Sequence, residues 1–351
     1  MALAEISAQL LDDFTDIPVV DMTDAAHPDA GRRIAVAHEI RAACLNQGFF
    51  YVKNHGVPKP IADAAFTQSK RFFNLDEGVK RSVDISKSDN FRGYTGVLAE
   101  NNDPDNKGDY HEAFNIGLDP LLAPAASEWP PSEVGASEAD TTTASSNTLR
   151  HGENLWPETS VWTGADEFKS TTLQYYASVL ALGKRLFPLI ALALDLPETF
   201  FDDKTQHPAA IMRLLFYPGR RDADERMPGI GAHTDFECFT ILRQDDVPAL
   251  QVSNREGKWL DAQCIPDTFV VNIGDQLARW TNDVFVSTRH RVLPTRRDRY
   301  SIPFFFGCDH GVVMDPIPTC VSSDRPNRYE VMTAGDYVHM RLSDIYAGVK
   351  D

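Results

Sequence analysis

The sequence predicts a mainly β protein with flanking helices, and three observations carry that expectation. From residue 211 onward, short runs of apolar, β-branched and aromatic residues recur at close intervals with turn residues between them. Such spacing suits a sandwich or barrel and not a parallel sheet with crossover helices. Helical periodicity is confined to the first 75 residues, a long apolar segment at 168–194 and the C-terminal end. Composition is ordinary for a protein with a sizeable core: 42% of the 351 residues are hydrophobic and 24% charged.

In chain order, Asp16-Ile17-Pro18-Val19-Val20-Asp21 reads as a first short strand. A helix follows, capped near Asp29, with Ile34, Ala37, Ile40 and Ala43 at helical spacing. Gly48 to Val52 is a second strand, rich in aromatic and β-branched residues, and 60–74 is another helix carrying Ile61, Ala65, Phe66, Phe72 and Phe73. Residues 123–150 are Ala, Ser, Thr, Pro and Glu with almost no large apolar side chain, which predicts a mobile surface insertion or a linker. The insertion is the preferred reading, because the apolar helix at 168–194 needs a partner surface and the first 120 residues supply one. Strand candidates then fall at 211–217, 238–243, 249–253, 268–273, 284–293 and 300–307, and a polar helix at Ala334–Tyr346 closes the chain. The expected organisation is residues 1–122 packed on the core, an insertion at 123–150, and a core at 151–351, together one catalytic unit.

The formal charge of −17, from 34 basic and 51 acidic residues, argues against nucleic acid or an anionic membrane as partner. Cys44, Cys238, Cys264, Cys308 and Cys320 show no metal-binding spacing, and their odd number does not suggest a disulfide framework. The N-terminus has no basic region before an apolar run, and the longest apolar stretches, such as Ser178–Leu196, are interrupted by Lys184, Arg185, Pro188 and Asp195. No membrane span is expected, and a cytoplasmic protein is.

Three His-x-acid tripeptides occur, at His27-Pro28-Asp29, His151-Gly152-Glu153 and His233-Thr234-Asp235, and chance alone yields about 1.5 in such a composition. Context separates them. Asp29 suits a helix cap and His151 borders the low-complexity stretch, whereas His233 lies inside the β-rich run. In an extended chain residues i and i+2 share a face, so His233 and Asp235 can face one metal. His290, or alternatively His310, offers a third donor from a later strand. Two histidines and a carboxylate on one face suit ferrous iron with positions left open; the alternative is a pair of strand histidines satisfied by backbone carbonyls. Nine residues after His290, Arg299 and Ser301 form another i, i+2 pair, a fork and a hydroxyl suited to holding a carboxylate. The apolar run that Ser301 begins suggests an interior strand, where an arginine requires an anion.

The set His233-Thr234-Asp235, His290 and Arg299-Tyr300-Ser301 resembles the iron(II)/2-oxoglutarate-dependent oxygenase superfamily in its isopenicillin-N-synthase-like branch, and is similar to microbial small-molecule oxygenases of the thymine-hydroxylase kind. The resemblance extends to DIPVVD at Asp16–Asp21, GFFYVKNHGV at Gly48–Val57, Arg92-Gly93-Tyr94, Leu155-Trp156-Pro157, Asn272-Ile273-Gly274-Asp275 and Thr333-Ala334-Gly335-Asp336-Tyr337. It implies a distorted double-stranded β-helix, or jelly roll, with helices packed outside it. It also implies Fe(II), 2-oxoglutarate and O2 as cofactor and cosubstrates, and a small-molecule substrate that is hydroxylated, desaturated or cyclised while 2-oxoglutarate is converted to succinate and carbon dioxide. His233, Asp235 and His290 would bind iron, Arg299 and Ser301 would hold the distal carboxylate of 2-oxoglutarate, and Tyr217 would hydrogen-bond the cosubstrate. Two alternatives are an iron oxidase of the branch that needs no keto acid and a non-catalytic jelly-roll binding module.

Strand alternation extends the reading to the substrate. If Arg299 and Ser301 face the pocket, so do Pro303 and Phe305; if Tyr217 does, so do Leu215 and Arg213. Arg213 would then meet either a substrate oxygen or an internal acid.

Overall fold

The structure, a computed structural model, describes residues 14–119, 153–221 and 226–347. The expected insertion at 123–150 and His151 lie outside the described residues. Among the described residues twelve strands form two sheets. In chain order they are β1 (Val19–Asp21), β2 (Phe49–Lys53), β3 (Gly93–Thr95), β4 (Glu112–Gly117), β5 (Ala210–Tyr217), β6 (Ile230–His233), β7 (Phe239–Gln244), β8 (Leu250–Ser253), β9 (Trp259–Asp261), β10 (Phe269–Ile273), β11 (His290–Val292) and β12 (Arg299–Phe306). The larger sheet runs β1-β2-β10-β7-β12-β5-β4-β3 and the smaller β6-β11-β8-β9. All pairings are antiparallel except β1 with β2. This is the distorted jelly roll.

Alternation along each strand of the larger sheet divides its side chains between two cores. Phe50 and Val52 of β2, Met212, Leu214 and Phe216 of β5, and Ile302, Phe304 and Phe306 of β12 point to the helices. Phe49 and Tyr51 of β2, and Leu215 and Tyr217 of β5, point instead toward the smaller sheet, where they meet Ile230, Leu250, Val252 and Val292. Both faces are covered, so these strands read as near-continuous apolar runs instead of alternating ones.

The helical layer comprises α1 (Ala30–Asn46), α2 (Lys59–Phe73), α3 (Glu77–Arg81), α4 (Ala165–Ala193), α5 (Asp275–Trp280) and α6 (Ala334–Ala347). Asp29 caps α1 by accepting a hydrogen bond from the Gly31 amide at 2.8 Å. Phe72 of α2 stacks on Phe168 of α4 at 5.0 Å and touches Phe114 of β4 at 4.7 Å, joining two helices to the sheet. Burying one such ring fully stabilises by about 1.5–3 kcal/mol.

Two expectations are corrected. The strand expected at 284–293 is formed only at His290–Val292, because the chain leaves α5 through Asn282 and Asp283, both at positive φ. Val284 and Phe285 then enter the helix-side core, and the Val286 amide donates to the Cys44 carbonyl. Strands β3, β4 and β9 were not anticipated. Helix α4 is long and apolar enough to cross a membrane by length and composition alone. In the fold it is a core helix packed against α1 and α2, and most of its apolar stretch is buried.

Candidate functional site

His233 ends β6 and His290 begins β11; the antiparallel register sets them directly opposite each other, with ring centroids 4.3 Å apart. Asp235 follows two residues past the end of β6, its Oδ1 lying 3.5 Å from Nε2 of each histidine. Among the described residues these three form the group of donors able to hold one metal ion, all ligand atoms lying within 4.8 Å of one another.

Surrounding hydrogen bonds aim each donor. His233 Nδ1 sits 2.8 Å from the Gly231 carbonyl and His290 Nδ1 3.1 Å from the Thr288 carbonyl. A carbonyl only accepts, so each Nδ1 carries the proton and each Nε2 turns a lone pair inward. The Thr240 hydroxyl and the Asn272 amide, the latter at 2.7 Å, donate to Asp235 Oδ2, leaving Oδ1 for the histidines. Asp275, at the start of α5, accepts from Thr234 between two of the donors and from Ser287 just ahead of the third. One carboxylate thus ties both ligand-bearing segments together.

Burial opposes ionisation of Asp235, but His290 and His233 outweigh it and hold the carboxyl well below the ordinary carboxylate range. Burial likewise works against charge on His233, while its hydrogen bond and attraction to Asp235 raise its pKa. Two imidazole nitrogens and one carboxylate oxygen in this arrangement fit a ferrous ion with positions left open.

Arg299 begins β12 opposite Tyr217 of β5 and is only 1% exposed. Its Nε donates to the Val247 carbonyl at 3.2 Å, Nη2 to Gln244 at 3.2 Å and Nη1 to Ser301 Oγ at 3.5 Å; the guanidinium lies 4.8 Å from the Tyr217 ring centre. Ser301 Oγ in turn donates to the Tyr217 hydroxyl at 3.5 Å. Among the described residues no carboxylate forms an ion pair with Arg299. A buried cation without a paired anion is costly, so this corner fits a carboxylate brought by a ligand.

The donor triad, Arg299, Ser301 and Tyr217 line one cavity of about 830 Å³ between the sheets. Arg213, Leu215, Pro303 and Phe305 line it too. His310 also reaches the cavity but is not part of the donor group. Arg213 Nη2 binds both oxygens of Glu100, at 2.7 and 2.9 Å, and Nε donates to Asn115 at 2.8 Å.

Several lining residues escaped the sequence reading: Glu100, Asn115, Glu237, Thr240 and Asn272. Asn272 left a signal, a polar residue inside the apolar strand Phe-Val-Val-Asn-Ile. Glu237 is buried with Oε2 unpartnered, folded against Gly307, where an added Cβ would come within 2.0 Å of that oxygen. Burial pushes its carboxyl up to about 8.

Comparison with known proteins follows the same lines. A family profile described as the N-terminal region of non-haem dioxygenases in morphine synthesis matches residues 17–159, and one for the 2OG-Fe(II) oxygenase superfamily matches residues 208–307. The 2-oxoglutarate-Fe(II) type oxidoreductase ppzC of Metarhizium majus is 36% identical over 342 residues, covering 95% of this chain and 88% of its own. The corresponding oxidoreductase hxnY of Emericella nidulans is 34% identical, covering 94% and 90%. Among solved structures, a full-length Neurospora crassa protein in complex with alpha-KG and thymine superposes with a TM-score of 0.77 at 27% identity, covering 93% of this chain and 96% of that one.

Proposed function

The chain belongs to the iron(II)/2-oxoglutarate-dependent oxygenase superfamily, and from that premise we propose that His233, Asp235 and His290 are its iron ligands and that Arg299, Ser301 and Tyr217 seat 2-oxoglutarate. It is a dioxygenase that oxidises a small organic molecule. One observation carries the residue assignment: a buried arginine with no paired carboxylate among the described residues shares a cavity with a two-histidine, one-carboxylate cluster.

Bound iron(II) supplies the redox chemistry that couples decarboxylation of 2-oxoglutarate to oxidation of a substrate carbon. The chain's own residues bind and orient. The carbonyls of Gly231 and Thr288 fix the histidine tautomers, and Thr240 and Asn272 fix which Asp235 oxygen faces the metal. Arg299 neutralises one end of the keto acid while Ser301 and Tyr217 supply hydroxyl contacts beside it. Leu215, Pro303 and Phe305 form an apolar wall that keeps water from the reacting carbon, and Arg213 stands on that wall as a polar substrate contact. The pathway is read as specialised metabolism and the compartment as the cytoplasm; the free state of all five cysteines supports a reducing one.

The test is succinate formation from 2-oxoglutarate with iron and oxygen. His233→Ala and Asp235→Ala are expected to abolish it while circular dichroism stays native. Arg299→Ala is expected to raise the 2-oxoglutarate requirement steeply, since truncating a buried charge pair costs about 2–5 kcal/mol. Near-normal activity in the histidine or aspartate variants would overturn the metal assignment. Substrate turnover without a keto acid, and without succinate, would favour the oxidase alternative.

A further inference from the structure

Charge is distributed unevenly around the cavity. Three arginines line it: Arg92, Arg213 and Arg299. Among the described residues no carboxylate forms an ion pair with Arg299, on which Asp245 acts only through its charge. Arg213 is bound through one nitrogen to both oxygens of Glu100. Glu100 is itself nearly buried on this wall and has His111 Nε2 3.6 Å away. Arg92 is buried against Gly117, donates to the Leu118 carbonyl and to Asn154 Oδ1, and shares Asn154 with Asp119, which accepts from its amide at 3.1 Å and acts on Arg92 through its charge. The metal corner is different: a ferrous ion and Arg299 together exceed Asp235 in charge by the amount a keto-diacid brings.

Position separates the two regions. Along β5, Arg213 stands four residues from Tyr217, roughly 13 Å away at ~3.3 Å per residue, with Leu215 between them. In the register of β5 with β12, Arg213 falls between Ser301 and Phe304, while Phe305 stands opposite Thr240, which holds Asp235, so a small molecule over Pro303 and Phe305 would reach the Glu100–Arg213 pair at one end and the metal corner at the other.

From this we infer that the substrate is electrically neutral where it meets Arg213, an amide or similar group offering a donor and an acceptor together, and that the pocket rejects carboxylates. The inference rests on the metal and cosubstrate reading above. A carboxylate would have to displace Glu100 from Arg213, leaving a second buried anion beside it, or lie against a guanidinium already neutralised. An amide meets the pair as it stands, its N–H toward carboxylate oxygen and its carbonyl toward a guanidinium or Asn115 N–H. Glu100 is held ionised: burial alone would raise its pKa, but Arg213 and His111 bring it below the usual range.

The test uses full-length enzyme loaded anaerobically with iron and 2-oxoglutarate, and two matched pairs of probes: phenylacetamide with phenylacetate, and indole-3-acetamide with indole-3-acetate. Binding is read by the change in visible absorption and by thermal shift. The wild type is expected to prefer each amide over its acid by roughly 100-fold, since juxtaposed like charges at a binding site cost several kcal/mol. Glu100→Gln, which removes the acid bound to Arg213 and keeps the guanidinium charge, is expected to reverse the preference toward the acids. The double variant Glu100→Gln with Arg213→Gln restores a neutral wall and is expected to prefer the amides again. Acids bound as tightly as amides by the wild type, no binding of either amide, or a Glu100→Gln protein with an unchanged ratio would overturn the inference. If Glu100→Gln does not fold, the wild-type ratio and the double variant decide it. Loading with 2-oxoglutarate is measured first and separately, so failure of the cosubstrate reading appears as failure to load and not as altered selectivity.

Discussion

Asp235 has one oxygen to offer a metal because the other already accepts two hydrogen bonds. Without the Asn272 amide on Oδ2 the carboxylate is freer to rotate, and the cluster loses part of its preorganisation. Partners of this kind typically change metal affinity about 10–100-fold when removed. Asn272→Leu, close in volume and unable to donate, is therefore expected to weaken iron binding by that factor in a ferrous titration, with unfolding still cooperative; an unchanged affinity would remove Asn272 from the account. At this scale the sequence was legible where spacing is local. Arg299 with Ser301 is an i, i+2 pair whose common face follows from extended backbone, and His233 with Asp235 is one whose second member lies just past the end of β6. Glu100 and Asn115 were not legible, because each meets Arg213 only through the tertiary fold, from a loop and from a strand the sequence did not announce. The sequence reading left Arg213 facing either a substrate oxygen or an internal acid, and Glu100 is the acid it meets.

Among the elements, those that present one chemistry along their length were the readable ones. Strands β5, β10 and β12 are mainly apolar because helices cover one side and the smaller sheet the other, and their polar residues Arg213, Asn272, Arg299 and Ser301 line the cavity. Strand β4 is just as buried, yet its sequence Glu-Ala-Phe-Asn-Ile-Gly carries two polar residues. Glu112 is matched by Lys80 of α3 at 2.6 Å and by the Tyr94 hydroxyl of β3 at 2.7 Å, so its polarity is answered by partners no local pattern reveals. The junction of α1 and β2 turns on Gly48, at φ 65°, where an added Cβ would lie 2.2 Å from the Val286 carbonyl oxygen. Gly48→Ala is expected to cost about 1–3 kcal/mol from backbone conformation alone, with the steric overlap added. Urea denaturation should show a lower midpoint at an unchanged slope. An unaltered midpoint would mean that the junction relaxes without cost.

At the level of the whole molecule, residues 19–117 contribute four strands to the main sheet. Strands β1 and β2 extend it beyond β10, and β4 and β3 extend it beyond β5. Removing the chain up to Lys53 would strip β10 of a neighbour and expose an edge whose five residues are all buried in the intact protein. The truncated chain is expected to aggregate or to lose cooperative thermal unfolding, checked by gel filtration and a melting curve; a monomer with a native transition would show that β2 is dispensable. The same topology governs the chain's history before it is complete. Val52 pairs with Phe269, so strand β2 leaves the ribosome long before its partner exists. At ~5–20 residues per second that wait is roughly 10–40 s. Throughout it Phe49, Phe50, Tyr51 and Val52 are an apolar segment with only β1 beside it, and pairings this distant in sequence also form slowly. The demand this protein places on chaperones is thus set by the interval between its second strand and its tenth, and not by the stability of the finished fold.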